Sequence, residues 1–218
     1  LRRKAAFLRG RVDAVNVTDN QTAVVRMSSW GASLIALQEG LEPVYQMVCR
    51  DRNRLAMQSD VLGAYANGIR NLLCLSGDLQ DFGDHPEAKS VYDIDSLQLL
   101  QAVRGMRDDA KFLSGRPGET PPRMVLGAAS NPFADLPQFR ARRLAKKVRA
   151  GADFIQTQCV FNMSRFSEFL GQARDQGFLE NVFLLAGVTP LKSVAMAPYM
   201  QQKVPGMDVP EAVVKRLR

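Results

Sequence analysis

Six short apolar runs, separated by longer stretches with helical periodicity, predict an α/β protein built from repeated β-α units. Two further observations select the architecture. No Gly-x-Gly-x-x-Gly or Walker loop follows an early run, and polar residues stand at the carboxyl end of nearly every run. A doubly wound open sheet would carry the first signal, whereas a barrel collects its active site from the second. The expectation is a (β/α)8 TIM barrel with a parallel sheet inside and helices outside, because each parallel crossover needs about a dozen residues or more.

The apolar runs are Ala14–Val17, Pro43–Val48, Asn71–Leu75, Arg123–Gly127, Asp153–Gln156 and Val182–Leu185. Helical spacing fills 21–39, 51–68, 95–114, 136–150, 163–177 and 190–202. Leu72 to Leu75 is apolar without alternation, the pattern of a strand covered on both faces. Ser114–Pro122, rich in Gly and Pro, is the one plain loop interruption. The polar exits are Thr18-Asp19-Asn20, Arg50-Asp51, Ser76-Gly77-Asp78, Ser130-Asn131, Gln156 with Gln158, and Thr189. Six strands do not close an eight-stranded barrel. The chain opens in a helical stretch, Arg2 to Leu8, and ends at 209–218 as another helix begins. A single barrel domain over 1–218 is therefore expected, incomplete at both ends and lacking a first and a last strand.

With 218 residues, 46% of them hydrophobic and 23% charged, the chain suits one globular domain with a sizeable core. No stretch reaches the roughly 20 apolar residues that span a bilayer, and Leu1-Arg2-Arg3-Lys4 lacks the apolar core of a signal peptide. A cytoplasmic location is expected, without membrane contact. Cys49, Cys74 and Cys159 are odd in number and scattered, so neither a disulfide framework nor a metal site is signalled. They read as small buried residues in or beside strands.

The net charge of +7 is concentrated in residues 2–11 and in the run from Arg140 to Arg149. On a helix, Arg140, Arg143 and Lys147 share one edge, while Leu144 and Val148 lie on an apolar face. That edge is either a solvated face or a clamp for a cofactor phosphate. Nucleic acid is disfavoured because no aromatic residues interleave with the basic ones.

Asp78 is the residue that most invites a chemical role, since a carboxylate at the end of a buried parallel strand is where such folds place chemistry. Its residue type is equally that of a helix cap or turn. Taken together with Leu75-Ser76-Gly77-Asp78, the stretches Asp13 to Asp19, Val48 to Arg54, Gln58 to Ala64, Gly68 to Asn71 and Ala150 to Gln158 resemble the methylenetetrahydrofolate reductase family in order and spacing. Within it, the His85-Pro86 to Asp95 insert and the Arg50-Asp51-Arg52-Asn53 form resemble the branch found in bacteria with corrinoid-linked one-carbon pathways.

The resemblance implies a flavin, FAD or alternatively FMN, that carries hydride from NAD(P)H to methylenetetrahydrofolate and gives 5-methyltetrahydrofolate. The flavin would supply the electron chemistry, leaving orientation and electrostatics to the protein. By the same resemblance, Thr18, Gln46, Ser76, Gly77, Asp78 and Tyr92 would contact the cofactor, with Lys147 and Arg143 on its phosphates. Gln46 stands where many relatives carry a histidine. Asp78 would also be the catalytic carboxylate, stabilising cationic character on the folate. It would bind substrate together with Gln158, whose amide both donates and accepts. All would lie on one barrel mouth.

The family's general acid is a glutamate on a first strand, and that strand is expected to be missing here. The sole histidine, His85, reads as a loop residue rather than the acid. Two other readings stay open: a flavin-free pterin-binding methyltransferase barrel, and a partner-dependent subunit that receives electrons from another protein. Assembly into a homo- or hetero-oligomer is expected.

Overall fold

The computed structural model describes residues 1–204 and 206–217, so Arg218, the end of the helix expected at 209–218, lies outside the described residues. The chain folds as two compact units, Leu1–Ala128 and Ala129–Arg218.

In the first unit the elements are α1 (Arg2–Leu8), β1 (Val15–Val17), α2 (Ser29–Gln38), β2 (Pro43–Val48), α3 (Arg54–Ala66), β3 (Asn71–Leu75), α4 (Ser96–Asp108) and the start of β4 (Val125–Ser130). Strand pairing follows chain order, and β1 to β2, β2 to β3 and β3 to β4 are all parallel. Tyr45 pairs with Leu72 and Leu72 with Leu126, which sets the register across the middle of the sheet. Leu72, Leu73 and Cys74 are all buried, so β3 is covered on both faces as its unalternating run predicts. Met57 and Val61 of α3 and Leu99, Val103 and Met106 of α4 are buried in the same core.

Side-chain caps set where the helices begin. Asn53 accepts from the Ala56 N–H at 3.0 Å, and Asp95 with Gln98 forms a reciprocal capping box at the start of α4.

The second unit contains the end of β4, then α5 (Arg140–Ala150), β5 (Phe154–Cys159), α6 (Met163–Asp175), β6 (Phe183–Gly187), α7 (Met196–Lys203) and α8 (Glu211–Lys215). β5 pairs in parallel with β6, with an irregularity between Gln156 and Cys159. Leu144 and Ala145 of α5 and Phe166 and Phe169 of α6 are buried, the two rings 6.4 Å apart. α5 stops at Gly151, which takes the left-handed conformation at φ 111°. On β6 the apolar side chains are largely open: Phe183 is 80% exposed and Leu185 53%.

Several boundaries differ from the sequence reading, and for three of them the cause is visible. The helix expected over 21–39 starts only at Ser29, because Asn20, Thr22 and Ala23 have positive φ. That turn is held from outside: the Thr22 N–H donates to Asp78 and the Val25 N–H to Asp84. The fourth strand starts later and ends later than expected, at Ser130, since pairing of Cys74 with Ala128 carries the small residues into the ladder. The fifth strand runs through Gln156 and Gln158 to Cys159. There the Thr157 hydroxyl accepts from the Gly187 N–H at 2.9 Å, so polar side chains serve the strand instead of ending it.

Burial raises the Cys49 thiol to about 12 and also pushes the Cys74 thiol and the Tyr45 phenol upward. The native state thus holds these groups neutral where the unfolded chain would ionise. A raised folded value gives stability that is complete below the ordinary thiol value and is lost above it. The melting temperature followed by circular dichroism is expected to fall steadily from about pH 9 towards about pH 12, and the slope to be shallower in a Cys49→Ala/Cys74→Ala double variant. An unchanged slope in that variant would contradict the assignment to the two thiols.

Candidate functional site

The strand ends of the first unit converge on a buried cation. Arg50 follows β2 by two residues, is 1% exposed, and reaches three chain segments. Its Nε and Nη2 donate to the two oxygens of Asp51 at 2.7 and 2.9 Å. Its Nη1 donates to the Asp78 carbonyl and its Nη2 to the Asn20 carbonyl, both at 3.1 Å. One planar guanidinium therefore fixes the loops after β1, β2 and β3. The Asp51 hydrogen bond raises the Arg50 value, outweighing burial, which opposes the charge. Burial works against ionised Asp51 too, yet the hydrogen bonds from Arg50 and Asn20 keep its carboxyl below the usual range.

A second ion pair braces the first. Asp19 is buried at the exit of β1, accepts the Val48 N–H at 3.0 Å, and pairs with Arg52 at 2.6 Å. Arg52 also reaches Asp60 on α3 at 3.1 Å. Burial opposes the Arg52 charge, and Asp19 more than restores it.

Tyr92 arrives from the long loop between β3 and α4. Val91 and Tyr92 donate backbone N–H groups to the carbonyls of Arg50 and Cys49, which lays this segment against the end of β2. The Tyr92 hydroxyl then donates to the Asp78 carbonyl at 3.1 Å, close to that of Gly77. Asp93, next along, caps α3 through the Arg54 N–H and guanidinium; those hydrogen bonds pull its carboxyl down to about 2. Ser76 bonds Ser96 at the head of α4, and Gly77 has φ 92° with little room for a side chain. A Cβ there would lie 3.1 Å from that of Arg50 and 3.2 Å from that of Val48.

The structure thus brings Ser76, Gly77, Asp78 and Tyr92 together. Asp78 itself is exposed; its Oδ2 accepts from Thr22, and its Oδ1 has no hydrogen-bond partner among the described residues. The turn reading and an outward-facing carboxylate oxygen coexist in one side chain. Gln46 is buried on β2, its amide donating to Asn16 at 3.3 Å. Thr18 lies outside the Arg50 network and lines a cavity of about 300 Å³ beside β1 with Asn16, Arg26 and Met27. Arg50 was visible in the sequence only as a polar exit. A charged residue two positions beyond a largely buried strand, and before a carboxylate, was the signal that it belongs inside.

In the second unit Arg143 is exposed on α5, and Lys147 is half-buried, donating to the Ala129 carbonyl. Burial, then the nearby Arg143 charge, lowers the Lys147 value. Arg140 does not share their outward edge. It is buried, donates to the carbonyls of Ala134 and Phe133, and is lowered chiefly by burial. The α5 cations were read as one row because spacing alone cannot show that the preceding loop folds back over Arg140. Gln158, the last residue but one of β5, has its side-chain oxygen on the Cys159 N–H. Among the described residues no group of three His, Cys, Asp or Glu side chains could hold a metal ion, and no helix is long and apolar enough to cross a membrane.

Parallel β-α units with a polar constellation at the carboxyl ends of successive strands are the arrangement found in α/β enzymes. A family model described as methylenetetrahydrofolate reductase matches residues 4–218, and the chain belongs to that family. Methylenetetrahydrofolate reductase 2 of Schizosaccharomyces pombe is 24% identical over 203 residues, covering 89% of this chain and 30% of the relative. A probable methylenetetrahydrofolate reductase (NADPH) of Caenorhabditis elegans is 23% identical, covering 91% of this chain and 28% of the relative. The chain therefore spans under a third of the length of these relatives. A Clostridium thermocellum protein that binds two copies of 5-methyl-5,6,7,8-tetrahydrofolic acid shares the fold with a TM-score of 0.59 and 12% identity, over 99% of this chain and 67% of that one.

Arg50→Met removes the donor from Asp51 and from two carbonyls, and is expected to cost about 3–5 kcal/mol, seen as a lower urea midpoint. Arg54→Met, on the exposed pair with Asp93, should move the midpoint far less. Gly77→Ala forces a Cβ into the β2 exit at positive φ and should cost about 1–3 kcal/mol in the same assay.

Proposed function

We propose that the chain is part of a flavin-dependent methylenetetrahydrofolate reductase that converts 5,10-methylenetetrahydrofolate to 5-methyltetrahydrofolate with electrons from NAD(P)H. The observation that carries this reading is the Asp78 turn, held by Arg50 and Tyr92 through its backbone while one carboxylate oxygen stays open. Family membership and the folate-binding neighbour support it. The six strands are read as part of a (β/α)8 barrel.

The donor set suits a flavin. Ser76 and Tyr92 supply hydroxyls beside a glycine with no Cβ, Gln46 supplies an amide that donates and accepts, and no acidic side chain but Asp78 is required to face the ring. Thr18, Gln46, Ser76, Gly77, Asp78 and Tyr92 would hold the isoalloxazine part, and Arg143 and Lys147 the phosphate part of FAD. Arg143 is the readier phosphate ligand, because Lys147 already donates to a backbone carbonyl. When bound, the flavin supplies hydride transfer between nicotinamide and folate.

The chain's own residues bind and orient. Asp78 accepts hydrogen bonds from pterin N–H groups and lowers the energy of positive charge on the folate, its position fixed by the Thr22 N–H. Gln158 reads the pterin edge with an amide that can both give and take a hydrogen bond. The buried Arg50 keeps the Asp78 backbone from shifting as charge changes nearby, which is the preorganisation such a site needs.

Purified protein titrated with FAD is expected to show the visible spectrum of bound flavin, bleached by NADH or NADPH. Failure to take up any flavin would sink the proposal. Asp78→Asn keeps shape and removes charge. It should leave flavin bound and slow folate reduction by about 10²-fold or more, measured as the rate constant of the folate half-reaction in stopped flow.

A further inference from the structure

A second recess lies on the flank of α3, built by the first turns of that helix and by the loop that follows α4. It has a volume of about 580 Å³, within the range of about 300–1,000 Å³ typical of small-molecule sites. Leu55 and Leu62 form one wall, Phe112 and Leu113 the other. Leu55 is 76% exposed and Leu113 43%, an unusual display of aliphatic surface for neighbouring positions.

The loop wall is preformed. Lys111 bridges Pro117 in antiparallel fashion; the Phe112 N–H donates to the Arg116 carbonyl and the Gly118 N–H to that of Ala110. The same loop is fastened to α3 by the Leu113 N–H on the Gln58 side chain at 2.9 Å, and Gln58 is itself tied to the Arg54 carbonyl. A ligand entering this recess would therefore meet ordered walls and lose little binding energy to loop ordering.

Charge decides which ligand. Arg54 and Arg116 line the recess, and among the described residues no Asp or Glu does. Arg54 is committed to Asp93, whereas Arg116 is exposed and has no ion pair among the described residues. The geometry points to a binding site for a small amphipathic organic anion, with a flat apolar body between Leu62 and Phe112 and a carboxylate, sulfonate or phosphate group on Arg116. A guanidinium meets any of these groups through paired N–H donors. This site is independent of the strand-end constellation and stands whether or not the chain reduces folate.

The probe is 8-anilinonaphthalene-1-sulfonate, followed by fluorescence on the purified chain, with uncharged N-phenyl-1-naphthylamine as comparator. Saturable binding of the sulfonate at one site is expected. Arg116→Ala should weaken it about tenfold and leave the neutral probe unchanged, as loss of one charge-assisted contact requires. Ser59→Trp, which fills the recess from an exposed position of α3, should abolish binding of both. Thermal melts check that both variants fold. Equal sulfonate affinity in wild type and Arg116→Ala, or retained binding in Ser59→Trp, would overturn the assignment. So would a concentration-dependent dimer that Ser59→Trp dissociates, because the recess would then belong to a second copy of the chain.

Discussion

A guanidinium excluded from water must find partners for its charge and its five N–H groups, and Arg50 finds them on three successive strand exits. Everything at that end of the first unit follows from this requirement. The loop after β1 must present the Asn20 carbonyl, the loop after β3 must present that of Asp78, and Asp51 must stay ionised beside the cation. A lysine could not replace it, since a single ammonium cannot reach a bidentate carboxylate and two separate carbonyls at once. The Asp19 and Arg52 pair reinforces the arrangement by clamping the last N–H of β2 to the exit of β1.

The β-α rhythm was legible because its causes are local. Apolar runs such as Leu72 to Leu75 cannot be solvated, and helical spacing covers the segments that form α3 and α4. Two strands, β2 and β3, have the limits that their composition implied. The three misplaced boundaries with a visible cause share one property: that cause lies far away in sequence. Thr22 leaves helical geometry because Asp78, 56 residues on, takes its N–H. Nothing between residues 21 and 39 records that event.

The candidate site was legible at the same level. Ser76, Gly77, Asp78 and Tyr92 meet; chemistry at the end of a buried strand pointed to Asp78, and the family resemblance implied the other three. Arg50 and Arg140 show what composition hides. Both are arginines in polar contexts, and both are buried by loops that fold back and offer carbonyls. A residue's burial there depends on backbone acceptors, which carry no sequence signature.

The way Tyr92 is anchored bears on how this loop can change over time. Val91 and Tyr92 dock on residues 49 and 50, and Gly83 sits so close to Ala23 that any side chain would strike its backbone. The two ends of the segment between them are thus pinned independently, Asp84 and His85 are tied to Val25 and Gln80, and the stretch from Pro86 to Ser90 hangs between fixed posts. Insertions, deletions or a binding motif grafted into that stretch need not move Asp78 by any appreciable distance. The loop is a place where relatives can diverge in length while the carboxylate beneath it stays put.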